Sequence, residues 1–531
     1  MKKRRLALLI ALALCLPLSG MAEINATGLP ISDEPIVLTA AVSQTPIQVD
    51  FNEIVILQDF EEVSNVQIEY RNIPSSDRAT QLSLMLNSGE LPDILLKMSV
   101  SATDQAKYAA EDLFVAISDY PELTPNLNKW FEEYPSAKEA VMTSDGKIYA
   151  APYILAGYAI RMGGKMFFNT ELMEQVGYEA IPTTTDELLE YFRAIKEVDF
   201  NGNGEADEIP ISSSSIDYLI NVLGGSFGLY NRGSSHGTVY VEDDGSLAYN
   251  WSSERYRELL RYLNILYTEK LLDQDIFTMD HAQLIAKAST GRALTYIFVN
   301  DNVVTNSPYA NQSLGMTEPF EGPQGYKTYG MYSLPASGSG QFMITYQCAE
   351  KGEDYVKAAL RWMDHWYSDE GIIAYFMGVE GVTYEKDEDS PGGLRLTDYV
   401  MNNPDGISFE QVLAPYVPWA GGANPSVATN EFFKGGETQP ASLAAAAGLI
   451  NYVPEIIWAP FTRFYSAEEA DEMSTISAEL DAYYKEWRGY FITGQRSLDS
   501  DWDEYVAGFA NMNLDRYMEI YTKGKEAAGA E

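Results

Sequence analysis

The stretch IVLTAAV at residues 36–42, with NEIVILQDFEEV at 52–63 and VQIEY at 66–70, decides the fold class. The first and third segments are short aliphatic and β-branched runs that indicate strands, whereas the middle segment has the apolar spacing of an amphipathic helix. A second helix is predicted around 82–86, and the extended segment LPDIL follows at 91–95. This alternation of strands and helices predicts an α/β domain built on a mostly parallel sheet.

The amino-terminal region has the pattern of a secretory signal. Basic residues at 2–5 precede an apolar run at 6–18 and small residues up to Ala22. This order predicts a signal peptide at residues 1–22, and the polar segment 23–35 is predicted to be a disordered tether. Because Cys15 lies inside the apolar run, a lipid anchor at the cleavage point is not expected. The sequence therefore predicts a secreted protein, extracellular or at the cell envelope, that is not inserted in a membrane.

The composition of the chain limits its number of domains and the kinds of partner that it can bind. The chain has 531 residues, of which 46% are hydrophobic, and this length is enough for at least two domains with separate cores. The formal net charge of −41 disfavours nucleic acid and anionic lipid as partners. Of the two cysteines only Cys348 lies beyond the predicted signal peptide, so no intramolecular disulfide is expected. Long amphipathic helices rich in aromatic residues are predicted at 252–267, 355–367 and 466–487.

One short motif bears on whether the protein is an enzyme. The sequence GSSHG at 233–237 fits the pattern of a hydrolase nucleophile elbow, which requires a strand before it and a helix after it. Here Tyr-Asn-Arg precedes the motif and the strand-like Thr-Val-Tyr follows it, so a loop is predicted. The three histidines, His236, His281 and His365, are too scattered to indicate a catalytic triad or a zinc site. No catalytic residue is therefore assigned, although a glycosidase with paired carboxylates stays an open alternative.

Seven motifs identify a family resemblance when they are taken in their order along the chain. They are LNSGELPDILL at 86–96, SDGKIYAAPY at 144–153, DFNGNGEADEIP at 199–210, LYTEKLLDQDIF at 266–277, GVEGVTY at 378–384, FITG at 491–494 and WDEYV at 502–506. Together they resemble the extracellular solute-binding proteins of carbohydrate ABC importers, especially the long oligosaccharide-binding branch. The resemblance spans nearly the whole chain beyond the signal peptide.

This resemblance implies a periplasmic-binding-protein-like fold of type II, with two α/β lobes joined by a hinge and a ligand cleft between them. The first lobe is expected at residues 36–155 plus about 296–350, and the second at 156–295 plus about 351–531. The expected function is capture of a sugar or oligosaccharide by a monomer, followed by delivery to membrane permease subunits. A secreted glycoside-active enzyme and a carbohydrate-binding protein that does not serve transport are the alternatives. A peptide or another polar solute is a further alternative for the ligand.

Sugar binding requires aromatic surfaces for the apolar face of the ring and polar groups for its hydroxyls. The chain contains 36 tyrosines and 8 tryptophans. Tyr153, Trp419 and Trp458 each lie next to turn-forming residues, and Asp93 follows Pro92 at the tip of a predicted strand. These four residues are therefore predicted to bind ligand. Packing in the core is the alternative for each aromatic residue, and a helix cap or turn is the alternative for Asp93.

The segment DFNGNGEADE at 199–208 places oxygen-bearing side chains at alternate positions, with glycines that allow the chain to curl. Such a loop offers hard ligands to Ca²⁺, but the twelfth position of an EF-hand loop is here Pro210 and not glutamate. In the family branch that the chain resembles, a similar loop binds calcium. By this resemblance a structural calcium ion would be held by the side chains of Asp199, Asn201, Asn203, Asp207 and Glu208 and by the carbonyl of Glu205. A surface turn without metal is the alternative.

Overall fold

The computed structural model describes residues 23–304, 307–310, 312–403, 407–420 and 425–530, so the predicted signal peptide lies outside the described residues. Its strands form two main sheets and two small hairpins. In chain order the strands are β1 (Ile36–Gln44), β2 (Val66–Pro74), β3 (Ile94–Leu96), β4 (Ala150–Leu155), β5 (Lys165–Asn169), β6 (Ser212–Ser213), β7 (Val239–Val241), β8 (Leu247–Tyr249), β9 (Tyr296–Phe298), β10 (Ser313–Gly315), β11 (Ala336–Ile344), β12 (Tyr384–Lys386), β13 (Leu394–Leu396) and β14 (Val427–Ala428).

The α-helices of the described residues cover both main sheets. In chain order they are α1 (Val55–Ser64), α2 (Arg78–Ser88), α3 (Ala102–Ala109), α4 (Pro125–Glu133), α5 (Pro135–Val141), α6 (Tyr158–Arg161), α7 (Thr170–Gln175), α8 (Thr185–Ile195), α9 (Ile216–Gly224), α10 (Glu254–Thr268), α11 (His281–Ser289), α12 (Tyr346–Lys351), α13 (Glu353–His365), α14 (Asp369–Met377), α15 (Asp398–Met401), α16 (Phe409–Leu413), α17 (Pro440–Leu449), α18 (Ala467–Thr493), α19 (Trp502–Gly508) and α20 (Leu514–Ala528).

The first lobe is organised by a six-stranded sheet with the order β14-β4-β11-β3-β1-β2. Strand β1 pairs in parallel with both β2 and β3, as its position in an alternating α/β segment predicts. Alternate residues of β1 enter different cores, because Leu38 and Ala40 pack with α1 and α13 on one face while Ala41 packs with α2 and α3 on the other. A strand covered on both faces is mostly apolar, and the IVLTAAV stretch fits this from Ala40 onward, whereas Val37 is exposed and Thr39 is polar.

The second lobe is organised by a four-stranded sheet with the order β10-β5-β9-β6. Its core joins this sheet to α8, α9, α10 and the carboxyl-terminal helices α18 to α20. Local signals define the first residues of two of these helices, α10 and α18. Ser253 caps α10 by accepting a hydrogen bond from the Tyr256 backbone N–H, and a capping box of Ser466 and Glu469 starts α18.

The structure confirms the two-lobed α/β class and corrects several details. The first sheet is mixed, because β11 runs antiparallel to both β3 and β4. In the second sheet only the β6–β9 pairing is parallel among the described strands, so this sheet differs from the predicted mostly parallel arrangement. A pattern of apolar residues defines a strand but leaves the direction of its neighbours open.

The division of the chain between the two cores differs from the predicted lobe boundaries. Strands β9 and β10, predicted in the first lobe, pair with β5 in the second sheet. The described residues between 353 and 433, predicted in the second lobe, instead pack on the first sheet through α13 and α14. The segment 23–35, predicted to be a disordered tether, is folded onto the first lobe. There Ile31 is buried and its N–H donates to the Ser64 carbonyl, while the Arg361 side chain donates to the carbonyls of Asn25 and Gly28.

Within the described part of the chain, no helix combines the length and apolar character needed to cross a bilayer. Cys348, on α12, is fully buried in the first core.

Candidate functional site

In the described part of the chain, three segments cross between the lobes, at residues 155–158, 332–336 and 428–440. The residues before each segment pack in one core, and the residues after it pack in the other core. Hydrogen bonds join the crossings to one another: the Leu155 N–H donates to the Pro335 carbonyl at 2.6 Å, and the N–H groups of Ala156 and Gly157 both donate to the Ala428 carbonyl at 2.9 Å. Short crossings of this kind allow two rigid bodies to rotate by adjusting only a few backbone dihedrals.

The third crossing places a carboxylate between the two lobes. Glu437 is close enough to Tyr153 of the first lobe and to Lys165 of the second lobe to affect the titration of both groups. Burial, and secondarily the Glu437 charge, raises the pKa of Tyr153 far above its ordinary value. Burial lowers the pKa of Lys165 to about 8, and the charges of Glu437 and Asp301 oppose that shift. The charge of one residue of the third crossing therefore acts on a group in each lobe.

A cavity of about 400 Å³ opens between the lobes. The first lobe contributes α3 and the end of α5, including Ala106, Lys107 and Val141, and the second lobe contributes residues 462–471. Apolar side chains such as Val141, the ring of Tyr465 and charged side chains such as Lys107 line this cavity together, which makes it suitable for a ligand with both apolar and hydroxylated surfaces. Its volume falls in the range that small-molecule sites occupy.

Arg463 links the two lobes at the edge of this interlobe cavity. Its Nη1 donates to the backbone carbonyl of Glu139 at 3.2 Å, and its Nη2 lies 3.9 Å from the Glu139 carboxylate. Lys107 and Asp471 line the same cavity from opposite lobes. Any change in the angle between the lobes would alter the Arg463–Glu139 contact and the width of the cavity together.

None of the four predicted ligand residues is among the side chains that line this cavity. Tyr153 lies on β4 and is 8% exposed, next to the first crossing. Trp419 is 4% exposed in the first core, where its Nε1 donates to the Phe376 carbonyl at 2.9 Å and its ring packs against Phe433. In the lobe arrangement described, these contacts favour packing in the core, which is the alternative to ligand binding for Trp419.

Trp458 and Asp93 lie far apart in the fold, one in each lobe. Trp458 is 4% exposed in the second core, with the Arg232 guanidinium 5.2 Å from its ring centroid. Asp93 is 1% exposed and its Oδ2 accepts from the Thr39 N–H, the Thr39 hydroxyl and the Lys351 ammonium. These bonds give Asp93 a structural function, since they fix the start of β3 beside β1 and α12.

The GSSHG segment has the structure of a loop, as predicted. Ser234–His236 form one 3₁₀ turn that precedes β7, and a 3₁₀ helix rather than a strand is the preceding element. The Ser234 hydroxyl donates to the Tyr332 carbonyl. His236 is buried with its Nδ1 against the Tyr521 hydroxyl and its Nε2 3.1 Å from the Ala459 carbonyl, and burial lowers its pKa to about 4. These contacts assign His236 to packing of the second lobe.

The acidic loop at 199–208 is folded around its own polar groups. The Asn203 N–H donates to both Asp199 Oδ1 and Asn201 Oδ1 at 3.0 Å, and the Asn203 amide donates to Asp207. Glu208 Oε1 accepts from the N–H groups of Phe200 and Asn201, whereas its Oε2 is buried without a hydrogen-bond partner among the described residues. This orphan oxygen fits the predicted cation site.

Two features of the loop count against a fully formed metal site. The Arg292 Nε lies 2.6 Å from Asp207 Oδ2 and already neutralises that carboxylate. Within the described residues, no three acidic, histidine or cysteine side chains converge on one point as metal ligands. Asp207 would therefore have to exchange Arg292 for an ion before this loop could hold one.

Sequence reasoning did not find the residues that line the interlobe cavity. Arg463 and Tyr465 occur in a stretch with ordinary composition, and the small residues of α3 and α5 carry no chemical signature. Only the packing of two distant segments brings them together. The sequence did contain one signal for the position of a crossing, since the motif SDGKIYAAPY ends at Tyr153, directly before the first crossing.

Comparison with known proteins gives an independent result. Residues 44–372 match the family model of bacterial extracellular solute-binding proteins. FusA of Streptococcus pneumoniae, a fructooligosaccharide ABC transporter substrate-binding protein, is 26% identical over 489 residues, covering 89% of this chain and 87% of FusA. The structure of FusA with kestose superimposes with a TM-score of 0.72 at 24% identity, over 92% of this chain and 98% of FusA.

A structure of an extracellular solute-binding protein from Bifidobacterium longum subsp. infantis gives a TM-score of 0.76 at 21% identity, covering 93% of this chain and 98% of that protein. These structural likenesses show the same fold over nearly the entire chain. Because the family model matches more than half of the residues, the chain belongs to the bacterial extracellular solute-binding proteins.

Proposed function

We propose that this protein captures a sugar or oligosaccharide between its lobes and delivers it to the permease subunits of an ABC importer. The observation that carries the proposal is the relationship to FusA, which extends over 489 residues and therefore includes both lobes and all three crossings. The cavity shared by α3, α5 and residues 462–471 supports it, because its walls come from both lobes. Ligand bound there would favour one relative orientation of the lobes.

The charge of the chain favours a neutral ligand. A net charge of −41 produces a negative potential around the molecule and disfavours anionic sugars at a distance. At the cavity, Lys107, Arg463 and Asp471 supply hydrogen-bonding groups for hydroxyls, and Tyr465 supplies a ring face. The ligand is released unchanged in this proposal. Secretion as a monomer belongs to the same proposal.

Tyr153, Trp419, Trp458 and Asp93 stay predictions as ligand contacts. All four are less than a tenth exposed in the described arrangement of the lobes. Tyr153 is the best placed of them, since it adjoins the first crossing and the Glu437 charge. Binding at Trp419 or Trp458 would require rearrangement of a side chain that packs in a core, and binding at Asp93 would require displacement of Thr39 and Lys351.

We also propose that the loop at 199–208 binds a structural calcium ion. Asp199, Asn201, Asn203, Asp207 and Glu208 would contribute side-chain oxygens, and Glu205 its carbonyl. The ion would neutralise carboxylates and rigidify the loop between α8 and β6. The unpartnered Glu208 Oε2 supports this assignment. A structure of FusA is described as an EF-hand mutant, which is consistent with a loop of this kind in a relative.

The function is tested by titrating the mature protein with kestose and other neutral oligosaccharides in a calorimeter. We expect saturable binding to at least one of them, and the sugar should be recovered chemically unchanged by chromatography. The variant Tyr465→Ala should weaken that binding at least tenfold, which corresponds to about 1.4 kcal/mol, because it removes the aromatic wall of the cavity.

The matched control is Tyr399→Ala, since Tyr399 is 51% exposed in the first lobe and is not among the residues that line the cavity. The affinity of the Tyr399→Ala variant for the oligosaccharide should equal that of the unmodified protein. Equal binding by the Tyr465→Ala variant would refute the assignment of this cavity, and turnover of the sugar would favour the glycoside-active enzyme.

A further inference from the structure

The two lobes also touch each other away from the three crossings. Helix α3 of the first lobe packs against α18 and against the turn Thr462–Phe464, both of the second lobe. The interlobe cavity lies at this contact, with Lys107 on the wall from the first lobe and Asp471 on the wall from the second. The lobes are therefore held together on the side of the cavity as well as at the crossings.

The polar part of this contact is made by Arg463. Its Nη1 donates to the Glu139 backbone carbonyl at 3.2 Å, whereas its Nη2 lies 3.9 Å from the Glu139 carboxylate, which is half exposed. A long ion pair in solvent contributes little to stability, so the hydrogen bond to the carbonyl is the main interaction. Because α5 carries Glu139 and the second lobe carries Arg463, this bond breaks when the lobes separate at the cavity.

The second lobe holds Arg463 in position for this bond. The turn that carries it follows Phe461, which is buried in the second core, and the same turn packs against α20. The guanidinium carbon of Arg463 lies 4.6 Å from the Phe464 ring centroid, and the side chain is 19% exposed. An arginine that is already stacked on a ring loses less conformational entropy when it forms a further hydrogen bond.

The charges of the chain explain why a cation is needed where the lobes meet. The protein has 77 acidic and 36 basic residues, so two acidic surfaces approach each other when the lobes close. At the cavity each lobe contributes both signs, Lys107 and Glu111 from the first lobe and Arg463 and Asp471 from the second. This arrangement offsets the general repulsion at the place where α3 and α18 come together.

We propose that Arg463 is a closure clasp, a positioning residue that stabilises the closed arrangement of the lobes by holding Glu139 and thereby slows release of the ligand. This inference rests on the proposed function and deepens it, because it names the residue that regulates the interlobe site. The clasp needs no ligand atom, so it favours the closed arrangement whether or not a sugar is bound. Its bond energy then shifts the equilibrium between open and closed protein directly.

The first test measures the radius of gyration of the sugar-free mature protein by small-angle scattering. Arg463→Ala removes the clasp, and Glu139→Lys opposes it with a like charge on a side chain that is not among those lining the cavity. We expect a larger radius of gyration in both variants. The double variant should show no larger increase than the single variants, because both changes act on one contact.

Two controls match these variants in chemistry. Glu132→Lys makes the same change of charge at an exposed position of α4. Arg516→Ala breaks an ion pair of 2.9 Å with Glu472, which lies inside the second lobe. Neither control residue is among those lining the cavity, and both variants should keep the radius of gyration of the unmodified protein.

The second test follows binding and release of kestose by stopped-flow fluorescence. Glu139→Lys should release the sugar about fivefold faster, the factor expected from the loss of one net hydrogen bond. Its association rate should stay unchanged, because the sugar enters the open protein, in which the clasp is not formed.

An unchanged radius of gyration in Arg463→Ala and Glu139→Lys would overturn the proposal. Faster release from Arg463→Ala together with ordinary release from Glu139→Lys would also overturn it, since Arg463 would then act only as a ligand contact. The scattering measurement uses no sugar, so it supports or overturns the clasp even if kestose does not bind and the proposed function fails.

Discussion

Two buried lysines at strand ends show how differently one residue type is accommodated in this protein. Lys97, directly after β3, has one side-chain acceptor among the described residues, the Pro418 carbonyl at 3.0 Å, and its Nζ lies 5.3 Å from the Phe51 ring centroid. Lys165, which begins β5, donates to three carbonyls, those of Met162, Gly163 and Val299, at 2.8 to 3.3 Å. Burial lowers the pKa of Lys97 to about 7 and that of Lys165 to about 8.

Replacing each lysine with methionine should therefore give opposite results. Lys97→Met removes a poorly compensated buried amine, so we expect its free energy of unfolding at pH 7 to rise by about 1 kcal/mol or more. Lys165→Met leaves three buried carbonyls without their donor and should lower stability by at least about 2 kcal/mol. Thermal or denaturant unfolding of the two variants measures the difference. A destabilised Lys97→Met protein would show that its single hydrogen bond outweighs the cost of burial.

The pH dependence of Lys97→Met follows from the lowered pKa. Between about 7 and 10.5 the unfolded chain keeps this amine protonated while the folded protein has released the proton. The unfolded state then binds more protons, so the stability contributed at this position rises with pH across that window. We expect the stability advantage of Lys97→Met to be largest at pH 7 and to shrink towards pH 10. An advantage that is constant with pH would contradict the burial of a titrating amine.

Residue types alone could not predict which polar and aromatic groups are accessible. Trp419 follows a proline in a turn-like context, which predicts exposure, but the segment folds back so that the indole enters the first core. Asp93 at a strand tip has the right chemistry for a hydroxyl, yet Thr39 and Lys351 occupy its carboxylate. Both outcomes depend on partners more than 40 residues away in the chain, and local pattern carries no information about them.

At the level of elements, local signals predicted where helices and strands form. They were less successful in predicting which strands pair and which sheet a helix packs on. The segments at 36–42, 52–63 and 66–70 form β1, α1 and β2 nearly as predicted, because their apolar spacing is determined within each segment. The lobe boundaries failed because α13 has an amphipathic pattern that would suit either sheet. Strand β11 is inserted between β3 and β4, and only the assembled sheet decides its place.

The loop between α8 and β6 supplies a prediction about an ion. Adding Ca²⁺ to chelator-treated protein should raise the melting temperature by several degrees, since a ligand that binds only the folded state stabilises it. Asp199→Ala should abolish this increase, because its carboxylate organises the N–H groups of Asn203 and Gly204 and is a proposed ligand. Thermal unfolding with and without the ion provides the measurement.

The control for this loop is Asp244→Ala. Asp244 also organises a turn, by accepting from the Ser246 N–H and hydroxyl, but it lies in the β7–β8 connection outside the proposed ligand set. Its variant should keep the full response to Ca²⁺. If the unmodified protein does not respond to chelator or to added Ca²⁺, the loop is the metal-free turn.

At the level of the whole molecule, we expect the contact between the first and third crossings to determine how the lobes are oriented. Gly157 has φ −71° and ψ 127°, which alanine also adopts, so its conformation alone does not require glycine. The available space does require glycine, because a Cβ at this position would lie 2.5 Å from Asn430 Oδ1 and 2.8 Å from the Asn430 backbone nitrogen. Because one of these atoms is backbone, rotation of the Asn430 side chain cannot relieve the clash.

Gly157→Ala should therefore displace the third crossing from the first and change the angle between the lobes, while each core stays folded. We expect a changed radius of gyration in small-angle scattering and at least tenfold weaker sugar binding, because the two walls of the interlobe cavity would no longer meet in register. Gly489→Ala on α18 is the control, since a Cβ there meets nothing within 4 Å and alanine favours helix. An unchanged scattering curve and affinity in Gly157→Ala would show that the crossings absorb the clash locally and do not set the lobe angle.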